Sequence, residues 1–164
     1  MKSKFLLLIA LIIFVTISSC SKSPACWGDD ENNGIIEKYY NVRDFPMCVE
    51  AYVSENEKLI IKSSAELLNI TDSNCFNLPE AGYSANPPDI DFNEYSLLGF
   101  WTTGQCETKF IREILKNETD KKYIYKIKVK DCGTCKSERY DANLVLVPKI
   151  PDGFIVDFVV EDSD

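Results

Sequence analysis

Between residues 122 and 130 the chain alternates: Tyr123, Tyr125, Ile127 and Val129 stand between Lys122, Lys126, Lys128 and Lys130, with only Ile124 out of step. A period of two turns one apolar face to a core and one lysine-rich face to water, and so predicts a half-buried strand. Residues 95–101 predict an apolar strand, which Thr102-Thr103-Gly104 closes, and residues 144–147 are an apolar run that reads as buried. Residues 109–115 predict another strand, ended by Asn117-Glu118-Thr119-Asp120. Pro151-Asp152-Gly153 predicts a hairpin turn into a last strand, on which Phe154, Val156, Phe158 and Val160 share a face. In the first half, residues 35–40, 48–53 and 59–61 have strand composition, with Ser54-Glu55-Asn56-Glu57 as a turn. Ser63 with Glu66 three residues on is a capping box ahead of Leu67 and Leu68, and predicts a helix of about two turns ended by residues 69–72. Residues 73–91 then form a loop, with Cys75, Pro79, Gly82 and Pro87-Pro88, long enough to require either a function or a disulfide. The expected fold is mainly β: an antiparallel sandwich or open barrel with one short helix, in a single domain over residues 35–164.

The amino-terminal pattern is of another kind. Lys2 and Lys4 precede an apolar run over residues 5–17 that only Thr16 interrupts. At about 13 residues it matches the apolar region of a secretory signal peptide and falls short of the ~20 that a membrane-spanning helix needs. Ser18 and Ser19 follow, then Cys20. The segment Ile17-Ser18-Ser19-Cys20 resembles a lipobox, the processing motif of bacterial lipoproteins. The resemblance implies a signal peptide over residues 1–19, a diacylglyceryl thioether on Cys20, and an acyl chain such as palmitate on the new amino terminus. Two or more chains, at about 0.8 kcal/mol per buried methylene, would anchor the protein stably. Ser21 stands where some bacteria place the Asp that retains lipoproteins in the inner membrane, so the resemblance favours the outer membrane, with either face open. Residues 21–34 are polar and rich in turn formers and predict a flexible tether, with Cys26 and Trp27 placed to pin its end.

Composition narrows the chemistry. The chain has no histidine, which excludes Ser-His-Asp and Cys-His catalysis and every His-ligated metal site. Two of the 18 basic residues and none of the 26 acids lie in the leader, so the 145 residues after it carry a net charge of −10. Such a surface disfavours nucleic acid and anionic headgroups as partners. With Cys20 committed to lipid, Cys26, Cys48, Cys75, Cys106, Cys132 and Cys135 remain of the seven cysteines. An even number outside the cytoplasm reads as up to three disulfides, and Cys48–Cys75 and Cys106 with Cys132 or Cys135 are the expected pairs.

Several constellations admit a chemical and a plain reading. Cys132-Gly133-Thr134-Cys135 has thioredoxin-like spacing, but its flanks are a strand and the polar run Lys136-Ser137-Glu138-Arg139, which suits a structural disulfide at a turn. A zinc site from Cys106, Cys132 and Cys135 would need a fourth ligand and reduced thiols. Asp29, Asp30 and Glu31, continuing to Gly34, offer oxygen ligands for calcium, yet Glu31 stands where the loop pattern wants Asp or Asn. A solvated tether is the favoured role for that acidic run, and a surface-export signal is the other alternative. Asp89, Asp91 and Glu94 read as turn residues before a carboxylate pair. Tyr39, Tyr40, Tyr83, Phe100 and Trp101 read as core before a glycan-stacking surface.

Asp89-Ile90-Asp91-Phe92-Asn93-Glu94-Tyr95-Ser96-Leu97-Leu98-Gly99 with Thr103-Gly104-Gln105-Cys106, and Leu146-Val147-Pro148-Lys149-Ile150-Pro151-Asp152-Gly153, resemble stretches of small Bacteroidota-type lipoproteins. Over residues 58–160 the order of elements is similar to the carboxy-terminal domain of PrcB-type protease-complex subunits, a β module that stabilises a partner. That family has a richer glycine turn where Thr103-Gly104-Gln105-Cys106 stands, and it supplies no catalytic residues to carry over. The expected function is a non-catalytic, lipid-anchored extracytoplasmic module that binds or stabilises another envelope protein, with no cofactor and no metal. The alternative is a ligand-capture lipoprotein for a glycan, lipid or cation, which would need a concave site lined by exposed Tyr and Trp.

Overall fold

The computed structural model describes residues 29–72, 82–132 and 137–163. Two kinds of apolar pattern sort its long strands into two sheets. The unbroken runs build a central antiparallel sheet in the order β2 (Lys38–Tyr40), β9 (Leu144–Pro148), β4 (Tyr95–Phe100), β3 (Lys58–Ile61). Its two faces serve two cores. Leu97, Leu144 and Leu146 pack with Val49, Val53, Leu59, Ile61 and Leu67 on one side; Leu98, Phe100, Val145 and Val147 meet the second sheet on the other. A strand covered on both faces needs apolar residues at every position, which is why alternation is lost there.

The alternating strand is β7 (Lys122–Lys130), in an outer sheet ordered β1 (Glu31–Gly34), β6 (Lys109–Asn117), β7, β10 (Ile155–Ser163). Its inner face sends Phe110, Ile114, Tyr123, Tyr125, Ile127 and Val129 into the second core. Helices α1 (Met47–Asn56) and α2 (Ser64–Asp72) close the first core, so the layers run helices, central sheet, outer sheet. A two-stranded ribbon, β5 (Thr102–Gln105) with β8 (Glu138–Asp141), continues β4 and β9 beyond a bend at Trp101 and Asn143. The fold is thus mainly β and sandwich-like, and its strands do not close into a barrel.

Several elements differ from expectation. Residues 48–53 are helix and not strand: Val49 and Val53 are fully buried while Ala51 and Tyr52 are exposed, an i, i+4 stripe. The fold therefore has two helices where one was expected, and residues 54–57 end α1 with Glu57 in the left-handed region (φ 61°). Ser63 does cap α2, accepting from Glu66 N–H at 3.2 Å, while the Glu66 carboxylate reaches back to Lys62 N–H at 2.5 Å. Two pairings are parallel where antiparallel was expected, β1 with β6 and β7 with β10. Pro151-Asp152-Gly153 does make a turn, with Phe154 N–H donating to Pro151 O at 3.2 Å, but not a hairpin. The chain crosses there from the central to the outer sheet, because both edges of β9 already carry β2 and β4. Thr102-Thr103-Gly104 and the polar residues 138–141 pair as β5 and β8, and residues 31–34, read as tether, are an edge strand. Gly34 makes that edge feasible: its φ is 75°, and a Cβ would strike the Ile114 carbonyl.

Candidate functional site

Along β6 the inward positions are Phe110, Arg112 and Ile114, so the alternation drives a guanidinium into the second core, where Arg112 is 0 % exposed. Its Nε donates to Asn143 Oδ1 at 2.6 Å and its Nη2 to Asp141 Oδ2 at 2.9 Å and Asp30 Oδ2 at 3.3 Å. The guanidinium lies 4.2 Å from the centre of the Tyr39 ring, and Arg139 lies 4.9 Å from the Phe110 ring. Arg112 Nη1 is buried with no hydrogen-bond partner among the described residues. Tyr39 OH donates to Asp141 Oδ2 at 3.0 Å, and Tyr125 OH to the Asn143 carbonyl at 2.7 Å. This cluster joins the outer sheet, the central sheet and the bent ribbon.

Within the acidic run Asp29 and Glu31 are exposed and Asp30 is half-buried. Asp30 accepts from Phe110 N–H at 3.0 Å and from Arg139 Nη2 at 2.9 Å as well as from Arg112, and Glu31 takes Lys109 Nζ at 2.7 Å. Asp30 and Glu31 thus tie β1 and the residue before it to β6 and to Arg139. The Lys109 ammonium holds the Glu31 carboxyl below its ordinary pKa. Both carboxylates at the centre of the cluster accept several donors, so the arrangement fixes strands and offers neither a nucleophile nor a free general base.

Burial, and after it the Asp141 carboxylate, raises the Tyr39 hydroxyl; burial alone dominates for Tyr125. A raised folded pKa keeps its stabilisation below the unfolded tyrosine value of about 10 and loses it as pH rises beyond. Alkaline titration should therefore show the tyrosinate absorbance of Tyr39 and Tyr125 appearing together with loss of sheet circular dichroism above pH ~10, after that of the exposed tyrosines. Full ionisation of the tyrosines with the sheet signal intact would contradict that burial.

The outer sheet's solvent face is the most unusual surface. Leu115, Ile155 and Val159 are 40, 54 and 36 % exposed, and Ile111 and Ile124 are half-buried among them. The register sets Leu115 beside Ile124, and Ile124 beside Asp157, with Ile155 and Val159 diagonally on either side. On this face apolar and charged side chains alternate: Lys122 and Lys126 flank Ile124 along β7, Asp157 stands between Ile155 and Val159 on β10, and Ile111 lies farther along β6, beside Lys128. Lys122 pairs with Asp157 at 2.7 Å.

A cleft of about 590 Å³ opens at the start of α2, lined by Lys62, Ser63, Asp89, Asp91, Phe92 and Lys149 among others, with no Tyr or Trp in its wall. Lys149 Nζ is turned to backbone, donating to Phe92 O at 2.6 Å and to Lys62 O. Asp91 accepts from Asn93 N–H at 2.9 Å, and its carbonyl takes Glu94 and Tyr95 N–H, so it builds a turn. The aromatics are dispersed: Tyr40 and Phe100 are core, Tyr83 bonds Glu50, and Trp101 stacks on Tyr140 at 5.7 Å.

Cys20, Cys26, Cys75 and Cys135 lie outside the described residues. Cys48, on α1, has its Sγ 3.9 Å from Thr71 O, one residue before the end of α2. Cys106 follows β5 and Cys132 follows β7, where Gln105 N–H donates to Asp131 Oδ1 at 3.0 Å and brings the two segments together. Among the described residues, no three Cys, Asp or Glu side chains converge as a metal site would require. Arg112, Asn143 and the apolar patch escaped the sequence reading. The first had a signal, a charge at inward parity between Phe110 and Ile114; the patch had another, Ile124 out of step with its neighbours.

No known protein family, curated protein or solved structure matches the chain.

Proposed function

We propose that this chain is a lipid-anchored extracytoplasmic module, without catalysis of its own, that engages another envelope protein through the outer face of its outer sheet. The observation that carries the reading is the group of exposed Leu115, Ile155 and Val159 around Ile124 on one sheet face, interleaved with charges of both signs. Large apolar side chains exposed together on one sheet face mark an interaction surface. The securing of Asp30 supports it further: ten residues separate Cys20 from Asp30, so a lipid there would keep the domain within about 35 Å of the bilayer surface. Ser21, where the inner-membrane retention Asp would stand, favours the outer membrane. The ligand-capture alternative gains little from a polar cleft without Tyr or Trp.

Disulfides Cys48–Cys75 and Cys106 with Cys132 or Cys135 belong to the same proposal. Cys48 Sγ lies 3.9 Å from Thr71 O, and Cys75 is four residues beyond Thr71 in the sequence; the Gln105–Asp131 bond joins the strand ends next to Cys106 and Cys132. The test is crosslinking of the tagged full chain in its native envelope, with mass spectrometry of what is recovered, beside a Cys20→Ala variant. One near-stoichiometric partner, and release of the variant to the soluble fraction, are the expected results. Recovery of the chain alone would count against the module, and membrane retention of the variant against the anchor.

A further inference from the structure

We infer that the open edge of β10 is a docking groove for an extended segment of a partner protein in which lysine or arginine alternates with apolar residues. The inference rests on the interaction-module reading and names the chemistry of its site.

β10 is nine residues long and borders the outer sheet; no described strand pairs with its far side. The other edges, β1, β2 and β3, have three or four residues each, too few to specify a partner strand. The phase of the β7 ladder is fixed by Ile155 N–H donating to Lys121 O at 3.1 Å. In a parallel ladder one parity bonds the neighbour and the other faces away. Residues 155, 157, 159 and 161 therefore bond β7, and the N–H and C=O groups of Val156, Phe158 and Val160 point outward from the sheet. They form a ready row for strand addition.

Side chains choose the occupant. Ile155 and Val159 supply apolar contacts on the solvent face, and Asp157 and Glu161 alternate with them. Glu161 has no described salt-bridge partner, and Asp157 is half-exposed beside Lys122. A second copy of this chain pairing antiparallel sets Asp157 opposite Glu161 in the register centred on Val159, and in the register centred on Phe158 leaves the acids diagonal to one another with no cation across from them. A basic partner strand meets both acids and continues the apolar patch.

The probe is an end-blocked nine-residue peptide of alternating lysine and valine, titrated into the full chain solubilised from its envelope. The same peptide with glutamate for lysine, and a peptide of the β10 sequence, serve as controls. Val160→Pro removes one outward N–H and leaves the β7 ladder its donors; Glu161→Lys reverses one exposed charge. The lysine peptide is expected to bind, and each substitution to weaken it at least tenfold while circular dichroism and Tm stay close to the parent. Binding that survives Val160→Pro would show charge attraction without strand addition and overturn the proposal. Equal binding of the glutamate peptide, preference for the β10 peptide, or no binding would overturn it too. If the proline variant does not fold, the lysine peptide N-methylated at alternate amides, which removes its strand donors, decides in its place, and undiminished binding of it would overturn the proposal. Failure here together with envelope crosslinks to a partner elsewhere on the domain would reject the edge and keep the module; failure of both would reject the module.

Discussion

An Arg112→Ala variant is expected to lose about 3–5 kcal/mol of stability, measured by urea unfolding, because removing one partner leaves the others charged and buried. Asp141, with a side chain 9 % exposed, loses its buried cation, while Asp30, 18 % exposed, keeps Arg139 and Phe110 N–H. Asn143 Oδ1 loses its donor as well, and the Tyr39 ring loses the cation above it. Domains of this size are stable by about 5–15 kcal/mol, so the variant would sit near its unfolding threshold. Arg139→Ala provides the contrast. Its guanidinium is 38 % exposed and also bonds Asp30, yet water can replace it, and the expected cost is about 1 kcal/mol or less. Equal costs at the two arginines would contradict the view that burial, and not charge pairing as such, makes Arg112 indispensable.

Asn143→Ala should cost a similar amount, about 3–5 kcal/mol, through two separable causes. The backbone there has φ 44°, where a Cβ residue other than Asn or Asp pays about 1–2 kcal/mol. The side chain donates to Phe100 O at 2.9 Å and Thr102 Oγ1 at 2.7 Å and accepts from Arg112, all in a fully buried position. Each buried group left unpaired adds about 1–3 kcal/mol. Asn143→Gly relieves the backbone and keeps the side-chain loss, so it should recover about 1 kcal/mol relative to alanine. The double variant with Arg112→Ala should cost less than the sum, since both remove the same bond. Strict additivity would show that Asn143 and Arg112 act independently.

What could be read in the sequence follows from how strongly each element's surroundings constrain it. β7 has one wet and one dry face, and its alternation is plain; β4 and β9 are buried on both faces, and their runs are equally plain. α1 was hidden because its buried stripe is only Val49 and Val53, both β-branched, in a segment whose composition suits a strand as well. The pairing of β10 could not be read locally. Its residues specify a strand, but its partner depends on which sheet edges remain open once β2 and β4 have flanked β9. The same dependence hid the site. Asp30 is a tether residue until the fold brings Phe110 N–H, Arg112 and Arg139 to it, over sequence separations of 80 or more. The outer apolar patch uses residues from β6, β7 and β10, and only Ile124 stands out within its own strand.

The most direct test of the interaction module is photocrosslinking in the native envelope from single positions of the full chain. A photoreactive residue would be placed at Val160, on the open edge, and at Tyr52, exposed on α1 at the opposite layer of the fold. Crosslinks from Val160 to one partner protein, within an extended segment rich in lysine or arginine, with none from Tyr52, are the predicted result. Equal or exclusive capture from Tyr52, or no capture from Val160, would contradict the assignment of the outer sheet as the working surface.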